Sequence, residues 1–368
     1  MNDHRRAGAV LTIDLDAIAA NWRLLRDRLR PGAECAATIK ADAYGLGAHR
    51  VGPALAAAGC RTFLVATIDE GIALRAALPD RRIFVLHGPF PGTFDDFAEH
   101  RLSPVLCTPR QVAQWAEYAA GSRALGAAIH VDTGMNRLGL SPAELSAMAA
   151  EPDVLAAARP VLVMSHLACA ERTDSEMNAR QQAAFTTARR LLPGVPASLA
   201  NSSGIFLGAD YHFDVARPGA ALFGLAPRPD APNPLRQVVR LQGKILQLRD
   251  VDMPMTVGYG ATHRVTGRGR VATVAVGYAD GFPRALSNRG CGHVGGVRVP
   301  LIGRVSMDLI TFDVSDAPPA SVQPGEMIEL IGPHHPVDAV AEEAGTIGYE
   351  ILTGLGRRYH RHYIGGVA

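Results

Sequence analysis

The sequence predicts an α/β protein in two parts. An N-terminal (β/α)8 barrel, of the TIM type, is expected over residues 12–230, and a mainly antiparallel β domain over 237–368 that also takes in a strand near 9–14. Three observations carry this. Short apolar runs alternate with helical segments over roughly 200 residues, as parallel strands covered on both faces should. Four prolines then fall within residues 226–234, where neither helix nor sheet continues. Beyond them, strand-like runs are separated by Gly, Pro and Asp turns.

Taken in order, the apolar face Ile18, Trp22, Leu25 and Leu29 marks a helix starting near Asp16. Barrel strands are expected at 36–40, 62–66, 83–87, 104–107, 129–132, 161–166, 198–201 and 213–217. Thr108-Pro109 and Ser141-Pro142 each open a helix with a cap followed by proline at the first helical position. After the linker, strands are expected at 238–248, 270–276, 297–302, 309–314 and 327–331, with a helix at 337–344. An open, doubly wound sheet has the same alternation as a barrel, since periodicity does not encode closure.

Composition narrows the function. The chain has 368 residues, more than one hydrophobic core usually spans. Its 37 Lys and Arg against 35 Asp and Glu are too balanced for a nucleic-acid surface. The five cysteines are scattered without a C-x-x-C pair, which argues for reduced thiols. The apolar stretch after Arg5-Arg6 is cut short by Asp14 and Asp16, so no secretory signal is expected. No apolar run reaches the roughly 20 residues of a membrane span. The expectation is a soluble cytoplasmic protein with no nucleic-acid or membrane partner.

In a barrel, residues just after each strand face the functional end. Here they are Lys40, His87, 132–137, His166, Asn201-Ser202-Ser203 and Arg217-Pro218-Gly219. A half-buried lysine has a lowered pKa and is the usual nucleophile towards an aldehyde cofactor. Small-residue loops after the last two strands are where barrels commonly bind phosphate. Together they suggest pyridoxal phosphate held at both ends. His360-x-His362 reads as a solvated pair on a basic strand, and no metal site is expected.

The segment 38–47, Thr-Ile-Lys-Ala-Asp-Ala-Tyr-Gly-Leu-Gly, resembles the pyridoxal-phosphate signature of the alanine racemases. The likeness continues through Asp132-Thr-Gly-Met-Asn-Arg137, Ser165-His166, Ala200-Asn-Ser202 and Arg217-Pro-Gly219. It runs on into Gly258-Tyr259-Gly260, Val276-Gly-Tyr278-Ala-Asp-Gly281, Gly303-Arg-Val-Ser-Met307-Asp308 and Gly348-Tyr349-Glu350. The resemblance implies that Lys40 carries pyridoxal 5'-phosphate as a Schiff base. It places Tyr44, Ser202, Gly219, Ala220 and Tyr349 around the phosphate, and Arg217 opposite the pyridine nitrogen with His166 nearby. Arg137 and the Met307 backbone then hold the substrate carboxylate, and Tyr278 narrows the entrance.

The implied activity is an isomerase interconverting L- and D-alanine through an external aldimine, with Lys40 and Tyr259 as bases on opposite faces. It would supply D-alanine for peptidoglycan. Tyr259 would come from the second subunit, so the implied assembly is a homodimer with a shared active site. Many members carry a carbamylated lysine where this chain has His130; an imidazole cannot replace an anion beside a guanidinium, so what orients Arg137 stays open, a bound anion or another carboxylate being the candidates. Three alternatives stay open: a broader racemase acting on serine or other small amino acids, a decarboxylase of similar architecture, and a non-catalytic carrier of the cofactor. The decarboxylase would need a carboxylate near the pyridine nitrogen, and the carrier would have no use for Tyr259.

Overall fold

Backbone hydrogen bonds close the first part of the chain into a ring of parallel strands. A computed structural model describes residues 4–121 and 126–366. Seven strands run side by side in chain order: Ala37–Thr38, Thr62–Val65, Arg82–Val85, Ser103–Leu106, Ala127–His130, Pro160–Met164 and Ala197–Ser198. The eighth, Val215–Ala216, pairs in parallel with Glu34–Cys35, just before the first. The amides of Asp214 and Arg217 donate to the carbonyls of Ala197 and Ala200, at 2.9 Å each. Those of Ala36 and Thr38 donate to the carbonyls of Ala216 and Pro218, at 2.9 and 2.8 Å. The last strand is thus tied to the seventh on one side and to the first on the other, which rules out the open sheet.

The barrel interior is filled. Ala36, Leu64, Phe84, Val105, Ala128, Leu162 and Val215 form one buried cluster with Cys107 and Met164. Small and large side chains from around the ring interlock, so the barrel is a packed core rather than a pore. Thr108 and Ser141 cap their helices as expected, and Ser141 forms a reciprocal capping box with Glu144. The first helix opens slightly earlier than the sequence suggests: it spans Leu15–Asp27, and Asp14, not Asp16, accepts its capping bond from the Ala17 amide at 2.8 Å. Leu29 therefore lies past its end, while Ile18, Trp22 and Leu25 are buried.

The second part is a mainly antiparallel eight-stranded sheet built on the long strand Val239–Val251. That strand pairs with Ala9–Asp14, Gly269–Val274 and Met327–Ile331. His360–Ile364 adds in parallel to the outer side of Ala9–Asp14. Because Ala9–Asp14 is hydrogen-bonded on both sides here, residues up to 17 group with 237–366, while 18–236 form the other compact unit. The helix Val337–Ala344 is present. The strand Cys291–Val294 and the helix Gly348–Gly354 were not legible, since Gly292 interrupts the first and the second is a seven-residue segment bounded by glycines.

Candidate active site

Lys40 lies immediately past the first barrel strand and is half-buried. Burial lowers its pKa, the positive charge of Arg137 lowers it further, and Glu70 opposes both. It forms no ion pair among the described residues. Glu70 does not neutralise it, because that carboxylate is committed to backbone: it accepts from the amides of Ala41 at 2.6 Å and Ala66 at 2.8 Å while capping its own helix. The segment after Lys40 is unusual. Ala41, Asp42, Ala43 and Tyr44 all have φ between 52 and 56°, the left-handed region that costs a non-glycine residue roughly 1 kcal/mol or more each. The Glu70 bond to Ala41 and the Asp42 carboxylate bond to the Ala48 amide at 2.7 Å hold this turn. It delivers Tyr44 to a buried seat against Phe223, with ring centroids 4.9 Å apart.

The seventh and eighth strands end in a cradle of amides. The Ser202 hydroxyl accepts from the Gly219 amide at 3.0 Å and the Ala221 amide at 3.1 Å. The Ala220 amide between them makes no hydrogen bond among the described residues. Any side chain at 219 would run into the Tyr44 hydroxyl, so glycine is what lets the two come together. Arg217 is buried beside this cradle and donates to the Ser198 hydroxyl and, at 2.5 Å, to the Ser165 carbonyl. No carboxylate pairs with it among the described residues. Burial lowers its guanidinium to about 10, so it stays charged at neutral pH.

That charge governs its neighbours. Burial first, then Arg217 and Arg137, push His166 down to about 3, leaving a neutral imidazole. The buried Gln181 anchors this strand end, donating to the His166 carbonyl at 2.8 Å and to the Thr133 hydroxyl at 3.2 Å. Arg137 is exposed, on a loop folded by Asp132, whose one carboxylate oxygen accepts from the amides of Gly134, Met135 and Asn136. The Arg137 charge lowers the pKa of Lys40, His130 and His166. His87 is exposed and is not tied into this group.

His130 is buried, with Nδ1 3.8 Å from the Cys107 sulfur. Burial, then Arg217, hold it at about 4, with Asp132 opposing and Arg137 adding. It is neutral near pH 7 and cannot serve as the missing anion. An unfolded imidazole titrates near 6.5. Between 6.5 and 4 the unfolded chain therefore binds a proton that the folded chain refuses. Stability is undiminished above pH 6.5 and falls below it, by up to on the order of 3 kcal/mol from this group. His130→Asn should lose stability less steeply than the parent in urea unfolding across pH 6.5 to 4; equal slopes would reject the assignment.

The β unit carries the remaining candidates. Tyr259 stands on a sharp turn, with φ of 77° at Gly258 and 71° at Gly260, and is 72% exposed. Gly258 packs against Gly303 and Arg304, and the Asn288 side chain ties the two loops by bonds to the Gly303 amide and the Thr262 hydroxyl. Tyr278 and Met307 are brought together: the amides of Tyr278 and Ala279 donate to the carbonyls of Ser306 and Met307, each at 3.0 Å. Beneath them the buried Asp280 receives two bonds from Arg358, at 2.6 and 3.0 Å, and another arm of Arg358 reaches Asp308. Tyr349 lies in the first turn of Gly348–Gly354 and, like Tyr278 and Met307, has an exposed side chain.

Residues 13–227 match the model of the alanine racemase N-terminal domain, and 238–363 that of the C-terminal domain. The chain belongs to the alanine racemase family. It is 58% identical to an alanine racemase of Rhodospirillum rubrum over all of this chain and 98% of that one. An alanine racemase of Methylobacterium nodulans is 52% identical over 98% of this chain and 97% of its own. Among solved structures, the alanine racemase of Bartonella henselae, with covalently bound pyridoxal phosphate, superposes with a TM-score of 0.93 at 42% identity, covering 97% of this chain and all of that one.

Alanine racemases depend on pyridoxal phosphate, and the barrel unit fits it. The cofactor needs an amine, an anion cradle and a partner for its ring nitrogen. Among the described residues Lys40 is an amine without a counter-ion and Arg217 a buried cation without a carboxylate, and the 219–221 amides around Ser202 form a cradle that a Cβ would fill. Sequence reasoning missed the supports of this racemase: Glu70, Gln181, Asn288 and the Asp280–Arg358 pair. Only Glu70 left a signal, the Thr67-x-x-Glu70 capping box; the others depend on partners 15 to 78 residues away.

Proposed function

We propose that this chain interconverts L-alanine and D-alanine in the cytoplasm with pyridoxal phosphate, using Lys40 and Tyr259 as its two proton-transferring groups, and supplies D-alanine for peptidoglycan. The reading rests above all on a half-buried lysine at the mouth of the barrel and on the buried cation Arg217, neither of which has an acidic ion-pair partner among the described residues. When bound, the cofactor supplies electron withdrawal that acidifies the α-hydrogen of an amino acid attached to it. Everything else is done by the protein. The amides of Gly219 and Ala220, with the hydroxyls of Ser202, Tyr44 and Tyr349, hold the phosphate. Lys40 holds the carbonyl carbon of the cofactor and then, as a free amine of lowered pKa, moves a proton at one face of the substrate's Cα. Tyr259 moves a proton at the opposite face.

Arg137 and the Met307 backbone receive the substrate carboxylate, and Tyr278 limits the size of the side chain admitted. Discrimination against one extra methylene or hydroxyl is worth only about 1–3 kcal/mol, so serine is turned over more weakly rather than refused. Tyr259 serves the active site of a second copy of the chain. Its exposure, with that of Tyr278, Met307, Leu309 and Ile347 on the β unit, supports such a dimer, since apolar side chains exposed in number mark interaction surfaces. Incubation with the cofactor and L-alanine should yield D-alanine, and dilution below the dimer dissociation constant should abolish turnover while cofactor absorbance persists. A fully active monomer would overturn the shared site; failure to form D-alanine would overturn the activity.

A further inference from the structure

Away from the barrel, the β unit gathers Cys291, His293 and His335, with possible ligand atoms all within 4.8 Å of one another. The geometry points to a tetrahedral divalent-metal site of the zinc type, formed by these three residues with Glu343 as the fourth ligand. Cys291 and His293 lie two apart on one strand and so share a face. His335 sits in the turn after Met327–Ile331, closed by reciprocal backbone bonds with Gly332 at 3.0 Å. Glu343 comes from the helix Val337–Ala344.

Distances distinguish this group from an ordinary polar cluster. The Cys291 sulfur is 3.6 Å from His335 Nε2 and 3.5 Å from Glu343 Oε1, and His335 Nε2 is 3.3 Å from Glu343 Oε2. A tetrahedral ion with bonds of about 2.3 Å to sulfur and about 2.0–2.1 Å to nitrogen or oxygen sets its sulfur about 3.5–3.6 Å from the other ligands, and those about 3.3 Å apart. The Cys291–His335 edge fits directly, Glu343 meets the sulfur through Oε1 and the imidazole through Oε2, and the His293 nitrogen lies within 4.8 Å of the other two ligand atoms. The tautomer is suited as well, because His335 Nδ1 donates to the Leu330 carbonyl at 3.0 Å and leaves Nε2 to coordinate. His293 Nδ1 is buried and has no hydrogen-bond partner, which a metal would supply. One thiolate and one carboxylate balance a divalent charge, and thiolate with imidazole selects zinc over magnesium or calcium. The ion would cross-link strand, turn and helix, so its role is to hold the fold.

The test uses the cofactor-loaded enzyme, stripped with a chelator and titrated with Zn2+ or Co2+ alone. One ion per chain should bind, Co2+ should show the intense visible bands of tetrahedral coordination with a thiolate-to-cobalt band, and thermal stability should rise. Cys291→Ser should abolish the thiolate band and weaken binding tenfold or more. His293→Gln, at a partly exposed ring, should weaken it comparably and serves if the first variant does not fold. A double variant, His360→Ala with His362→Ala, should leave all of this unchanged. Absence of stoichiometric binding at micromolar free zinc, or binding that survives both ligand variants, would leave only a thiol–carboxylate hydrogen bond and overturn the site.

Discussion

Lys40→Ala and Tyr259→Phe should each lower racemisation by roughly 10²-fold or more, yet fail in opposite ways. Racemisation needs a proton removed at one face and returned at the other. A variant lacking one group can still exchange the α-hydrogen of the antipode whose proton faces the surviving group. In deuterated water, Tyr259→Phe should wash deuterium into one enantiomer of alanine without inverting it. The complementary variant, with an exogenous amine to replace Lys40, should favour the other enantiomer. The environment of Lys40 explains why its loss is costly: burial and Arg137 supply the lowered pKa, and no free amine in solution inherits both. Proton NMR of the α position, starting from each enantiomer, reads the outcome. Equal exchange from both enantiomers in either variant would remove that residue from the two-base scheme.

Arg217→Glu should produce the second large effect, a change of reaction rather than of rate alone. A guanidinium cannot protonate the cofactor's ring nitrogen, and so limits the electron sink that would divert substrate towards transamination. A carboxylate there would favour the protonated ring and raise the yield of α-keto acid. The substitution would also release His166 and His130, both held down partly by the Arg217 charge, towards ordinary imidazole behaviour. A pH dependence between 5 and 7 should then appear that the parent lacks. Arg217→Met separates the two consequences, since it removes the charge without adding an acid. Keto-acid yield unchanged in Arg217→Glu, measured against D-alanine formed, would reject the role of Arg217 in confining the chemistry.

Legibility divides by range. The Thr108-Pro109 and Ser141-Pro142 helix starts were readable because a cap, a proline and an apolar face lie within one turn of chain. The eight barrel runs were readable as buried strands, though each ends one to three residues before its apolar stretch does. The strands end earlier because residues such as Lys40 and His166 leave the ladder to line its mouth. Glu70 was readable in principle from its capping box but not as a group that opposes the lowering of the Lys40 pKa, for that requires helix and strand to be side by side. His130 shows the reverse case. Its identity signalled a departure from the family, and only burial beside Arg217 determined that it is neutral.

By itself, then, the order of residues determined the alternation of strands and helices, the proline break, and which side chains follow each strand, because these rest on local periodicity and chemistry. The tertiary structure decided ring closure, the burial of Arg217 with no acidic partner among the described residues, and the meeting of Cys291 with His335 and Glu343. Those depend on groups tens to hundreds of residues apart, whose proximity is set by packing and hydrogen bonding across the fold and is written in no short stretch of sequence.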